Sequence, residues 1–163
     1  MTTPAPTAWM ARPRAVFERK PGGAGDPTFA WWTRGPQAEG GAVFVSVTDF
    51  EVRRVGDLLR VYREGLRLRR AWPSLSGAVG MWMWTQPRRK RAGSVSVWRE
   101  EADLARFVRW PPHVRVMRDF RKAGELRSAS WLESGFDARV IWTKAAARLA
   151  GGDPELAQGG ETR

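Results

Sequence analysis

The chain has no cysteine and no asparagine, one histidine, one tyrosine, and no uninterrupted apolar run of membrane-spanning length. Without cysteine there is no disulfide framework, no thiolate nucleophile and no thiolate metal site. A single histidine leaves little from which to build a metal centre. No stretch of about 18 apolar residues offers a membrane span, and the N-terminal MTTPAPTAWMARPRAVFERK lacks the apolar core of a secretory signal. A soluble, cytoplasmic protein is the expectation.

Charge of one sign is in excess. The 163 residues carry 28 basic and 17 acidic side chains, a formal net charge of +11, so nucleic acid, lipid headgroups and acidic proteins all have to be weighed as partners. Arginine outnumbers lysine about six to one along the whole chain. GC-rich coding produces that skew without any phosphate contact, and nucleic acid is the weaker expectation by the basic-patch criterion. The segment PRRKRAG gathers Arg88, Arg89, Lys90 and Arg91. It reads as an anion-binding finger or, more plainly, as a solvated hairpin tip whose charges discourage edge pairing.

Composition and periodicity divide the chain into four parts. Residues 1–40 form a Pro/Gly-rich extension, but Trp9, Phe17, Phe29, Trp31 and Trp32 imply that it is partly docked. Within it, PTFAWWTRG reads either as a cover over a groove or as an extra edge strand. Residues 41–133 form the main domain, 134–150 a C-terminal helix, and 151–163 a flexible tail.

In the main domain Val43, Val45 and Val47 alternate with Phe44, Ser46 and Thr48, the period of a strand. Val55, Leu58, Leu59, Tyr62 and Leu66 then recur at helical spacing and predict one apolar stripe over a sheet. After the breakers of AWPSLSG, AVGMWMWTQ reads as a strand with Val79, Met81 and Met83 on one side and Trp82 and Trp84 on the other. The basic turn joins it to a second strand ending at Trp98 as an antiparallel hairpin. Glu100, Glu101 and Asp103 suit the positive end of a helix that buries Leu104, Phe107 and Val108. Pro111 and Pro112 fit only a first turn, so WPPH starts a second helical piece with His113, Val116, Met117 and Phe120 on one stripe. ELRSASWLES supplies a last strand, and FDARVIWTKAAARL a helix with Val140, Ile141, Ala145 and Leu149 inward.

The order strand, helix, strand, strand, helix, strand is the ferredoxin-like βαββαβ arrangement of the α+β class, an antiparallel sheet with helices on one face. Its other face is also apolar and has to be covered. The expected cover is a second copy of the chain, giving a homodimer built as a dimeric α+β barrel.

The run GSVSVWREEADLARFVRWPPHVRVMRDF, with LRRAWPSLSGAVGMWMWTQ before it, resembles the dimeric α+β barrel superfamily over about residues 42–132. The likeness is to actinobacterial proteins described as antibiotic biosynthesis monooxygenase-like and, more weakly, to spheroidene monooxygenase-like proteins. It implies a pocket for a flat, hydrophobic small molecule between helices and sheet, with Trp82, Trp84, Trp98, Phe107, His113 and Met117 around it. His113, the one side chain whose ordinary pKa lies near neutrality, is the candidate catalytic group, a base for a phenolic or acidic C–H proton or a ligand for iron. Trp98 is expected to turn the other way at its strand end, so the six need not line one cavity. The plainer account of His113 is structural, its imidazole bonded to a neighbouring backbone carbonyl and packed on Phe120.

Two departures limit what the resemblance carries over. Cofactor-free and haem-degrading relatives both use an asparagine, which this chain lacks. Counting from Trp98, the places of the haem-degrading relatives' tryptophan and ligating histidine fall to Phe107 and Met117, with His113 a turn early. The expectation is therefore a monooxygenase-like protein binding a polycyclic or isoprenoid molecule without a cofactor, and whether it oxidises that molecule stays open. The alternatives are a non-catalytic ligand- or haem-binding barrel and a basic nucleic-acid module.

Overall fold

The computed structural model describes residues 29–36 and 40–152. Among these residues five strands and four α-helices follow one another: β1 (Phe29–Arg34), β2 (Val43–Val52), α1 (Val55–Ala71), β3 (Ala78–Gln86), β4 (Arg91–Trp98), α2 (Glu101–Arg109), α3 (Pro111–Phe120), β5 (Gly124–Glu133) and α4 (Ala138–Ala147). The strands form one antiparallel sheet in the order β1-β3-β4-β2-β5. Without β1 this is the ferredoxin-like α+β topology, each half contributing one outer and one inner strand.

β1 lies inside the segment read as an extension. It extends the sheet as an edge strand, Trp32 opposite Trp82 and Arg34 opposite Gly80. The glycine is needed there, since a Cβ on Gly80 would run into the Trp32 indole. The rest of the predicted extension and the end of the predicted tail lie outside the described residues.

Every residue of β3 is buried, because both sheet faces are covered. On the helical face Met81, Met83 and Trp98 pack with Trp72, Tyr62, Leu66, Leu104 and Phe107. On the back face Val43, Val45, Val47, Trp82, Trp84, Val95 and Val97 pack against Ile141, Ala145 and Leu149. Val79 joins the tryptophans rather than Met81 and Met83, a correction to the strict alternation. The cause is a register shift between Ala78 and Gly80, where one extra residue flips the side chain before it.

The back face was the surface expected to meet a second copy. α4 of the same chain and the turn after it lie on this face, with Ile141 and Ala145 fully buried and Leu149 2% exposed. These side chains are thereby taken out of water within one chain. α4 is started by Asp137, whose carboxylate accepts from the amides of Arg139 (2.8 Å) and Val140 (3.0 Å). Lys144 then reaches Glu133 at 2.6 Å.

The predicted stripes are narrower than expected. Val55 and Leu59 of α1, Val108 of α2 and Val140 of α4 are all exposed, because each helix meets the sheet along an arc that excludes them.

Candidate functional site

The elbow between α2 and α3 positions His113. In the first turn of α2 the carboxylate of Asp103 is buried between Arg99 (3.5 Å) and Arg106. The same carboxylate fills the space beneath Gly77, where a Cβ would collide with it; Gly77 also has φ +77°, a region that side chains disfavour. Trp110 is extended (φ −63°, ψ 127°), as a residue before proline has to be. Pro111 and Pro112 occupy the first turn of α3, where an amide hydrogen has no helical partner to lose.

His113 therefore sits one step into α3, and its ring turns back onto the end of α2. Nδ1 lies 3.2 Å from the carbonyl oxygen of Val108. That oxygen belongs to the last turn of α2 and lacks an intrahelical donor. A carbonyl can only accept, so Nδ1 carries the hydrogen and Nε2 keeps its lone pair. Burial pushes the imidazole below its ordinary pKa of 6.5, and the bond to Val108 opposes that shift. The ring is in contact with Phe107, centroids 4.5 Å apart. The expected bond to a nearby carbonyl is present, but the packing partner is Phe107, a turn before the elbow, rather than Phe120.

Phe107 leads into an aromatic cluster. Its ring centroid lies 5.2 Å from Trp98, 5.8 Å from Trp72 and 6.1 Å from Trp110, and Trp72 and Trp98 meet edge-on at 4.7 Å. Both indoles are fully buried. Trp98 Nε1 donates to Ser96 Oγ at 3.0 Å, whereas Trp72 Nε1 is buried with no hydrogen-bond partner among the described residues. An unmet buried donor costs about 1–3 kcal/mol. Sequence reasoning missed Trp72 because it lies in the short turn Trp72–Ser74, outside any periodic element.

Of the six residues expected around one pocket, His113, Phe107 and Trp98 come together. Trp82 and Trp84 lie on the opposite sheet face, where Trp82 meets Trp32 at 4.2 Å and Trp142 at 6.0 Å. Met117 is 37% exposed on α3. Between helices and sheet, Trp72, Trp98, Phe107 and the methionines fill the expected hollow. The methyl of Met83 sits so close to α1 that a Cβ on Gly65 would be 2.6 Å from it. Among the described residues no group of three or more His, Cys, Asp or Glu side chains is placed to hold a metal, and no helix is long and apolar enough to cross a membrane.

No family model matches the chain, and no curated protein does. Among solved structures it is similar to a monooxygenase candidate from Lactobacillus acidophilus, at TM-score 0.48 and 11% identity, over 66% of this chain and 54% of that one. It is also similar to SnoaB, a cofactor-independent oxygenase from Streptomyces nogalater, at TM-score 0.44 and 15% identity, over 62% and 97% of the two chains. A third is LmHde, a heme-degrading enzyme from Listeria monocytogenes, at TM-score 0.46 and 12% identity, over 60% and 65%. The chain thus spans about half the length of the first of these. The monooxygenase candidate, the oxygenase and the heme-degrading enzyme are of the kinds named for the group that the sequence resembles. At this level of similarity none of them assigns a reaction or a ligand to this chain.

Proposed function

We propose that the α2–α3 elbow binds a flat, apolar aromatic molecule and that His113 withdraws a proton from it, opening a cofactor-independent, monooxygenase-like oxidation. The observation that carries this reading is the position of Phe107. Its ring touches both His113, whose Nε2 keeps its lone pair when Nδ1 donates to Val108, and Trp72, whose buried Nε1 has no partner among the described residues. In this reading Phe107 and the short helix carrying it turn outward, and the ligand ring takes the place of the Phe107 ring beside His113 and Trp72. A hydroxy- or keto-aromatic molecule has the matching groups.

In that slot Nε2 takes the phenolic or acidic C–H proton, and the indole N–H of Trp72 holds the oxygen on which charge develops. The imidazole stays neutral, and so able to accept a proton, at pH values where an exposed histidine is partly charged. The resulting anion is electron-rich enough to react with dioxygen directly. The packing of this site favours a molecule smaller than haem. A porphyrin plate would displace Trp72 and Trp98 as well as Phe107, and those two indoles are fully buried in the core.

An anthrone-type tricyclic probe tests the reading. Binding should quench tryptophan fluorescence, and the protein should consume oxygen with the probe in air. His113→Ala should keep the quenching and slow oxygen uptake about a hundredfold or more. Absence of quenching in both the wild type and Phe107→Ala would contradict the slot. Uptake that survives in His113→Ala would contradict the base.

A further inference from the structure

Three basic segments far apart in the sequence meet at one end of the sheet. They are Arg53 and Arg54 before α1, Arg88 to Lys90 at the β3–β4 turn, and Arg121 and Lys122 before β5. The backbone ties them together. The amide of Val52 donates to Lys90 O and that of Arg53 to Ala123 O, both at 2.9 Å. Lys90 Nζ also reaches Arg53 O at 3.5 Å. Arg53, Arg54 and Lys122 line a hollow of about 280 Å³ with Asp57. Further along α1, Arg60, Arg63 and Arg67 line a second of about 170 Å³ with Glu64, Asp119 and Phe120.

The nearby acids do not neutralise this end. Asp57 pairs with Arg60 at 3.1 Å, Glu64 with Arg67, Asp119 with Arg118 at 3.8 Å, and Glu51 with Arg127 at 3.8 Å. Each is matched by a further arginine, and Glu125 is the remaining exposed acid at this end among the described residues. These three basic segments, separate in the sequence, therefore form one basic end in space.

Two exposed aliphatic side chains stand in the same place. Val55 and Leu59, in the first two turns of α1 beside Arg53 and Arg54, are 64% and 65% exposed. A nucleic-acid backbone has nothing to offer an aliphatic side chain. A bilayer surface takes both kinds of group, cations on the lipid phosphates and aliphatic side chains among the acyl-chain ends. We propose that this end of the protein docks on an anionic lipid surface, with Arg53, Arg54, Arg88, Arg89 and Lys122 on phosphates and Val55 and Leu59 inserted between headgroups. Leu132 is exposed to the same degree (68%) but stands at the far end of β5, away from this basic end, and serves as the control.

Co-sedimentation of the full chain with phosphatidylglycerol vesicles, phosphatidylcholine vesicles and duplex DNA tests the proposal. The chain should bind phosphatidylglycerol and not phosphatidylcholine, and salt should weaken the binding. Joint replacement Arg53→Glu, Arg88→Glu and Arg89→Glu should lower vesicle affinity about a hundredfold. Leu59→Asp should lower it about tenfold, and Leu132→Asp should leave it unchanged. All five positions are exposed, so the fold is retained. The proposal is overturned if phosphatidylglycerol vesicles are not bound, if Leu59→Asp has no effect, or if Leu132→Asp has an equal one. Preference for duplex DNA that Leu59→Asp leaves intact would overturn it as well.

Discussion

Arg91 reaches diagonally across the β2–β4 pair to Asp49, its Nε and Nη2 lying 2.9 and 2.6 Å from the two carboxylate oxygens. The same Nη2 donates to the carbonyl of Leu149 at 2.8 Å. One buried cation thus joins the middle of the sheet to the end of the C-terminal helix. Arg91→Met leaves Asp49 with only the half-exposed Arg127, 2.9 Å away, and should destabilise the fold by about 3 kcal/mol. Arg127→Met should cost about 1 kcal/mol or less, because water already screens that pair. Urea denaturation of the two variants gives the comparison.

Cover of the back face by α4 makes a second prediction. Ile141→Ala opens a cavity against Val43, Val45 and the tryptophans and should cost about 2–4 kcal/mol. Val140→Ala, one residue earlier and 43% exposed, should change stability by about 0.5 kcal/mol or less. Equal effects in thermal denaturation would mean that α4 does not lie on the sheet along its Ile141 side.

The edge strand hangs on a glycine. Gly80→Ala puts a methyl where the Trp32 indole rests on β3, and overpacking of this kind costs about 1–3 kcal/mol. Amide exchange should accelerate in Trp31 to Arg34 while the β2–β4 amides stay protected. Uniform acceleration throughout the sheet would show that β1 is part of the central cooperative unit.

Acid should weaken the elbow through His113. Its folded pKa is lowered by burial, so the unfolded chain binds the proton more readily. The neutral ring contributes stability above the unfolded value of about 6.5, and that contribution is lost as pH falls through 6.5 and past the folded pKa. The wild type should therefore lose more stability than His113→Phe between about pH 7.5 and pH 5. Parallel losses in the two proteins would remove the imidazole from the account.

Element order was legible because the period changes cleanly along the chain, from the alternation at Val43, Val45 and Val47 to the helical spacing from Leu58 to Leu66. Width of contact was not legible. Val55 and Leu59 belong to the apolar stripe by spacing, yet they miss the sheet because the axis of α1 decides which arc is buried. Val79 was assigned to the wrong face since a bulge leaves no mark in a two-residue period. The need to cover the back face could be read from its valines and tryptophans, but composition does not say whether a second copy or α4 does the covering. At the site, the proline pair located His113. Trp72 stayed hidden because its partners Trp98 and Phe107 lie 26 and 35 residues away in sequence.

Because the chain has one histidine, its imidazole resonances need no assignment, and nitrogen NMR across a pH titration reads the central claim directly. The account predicts that the neutral ring carries its hydrogen on Nδ1 and titrates with a midpoint below 6.5. A ring protonated on Nε2, or a midpoint at or above 6.5, would contradict the bond to Val108 and the free acceptor on which the proposed chemistry stands.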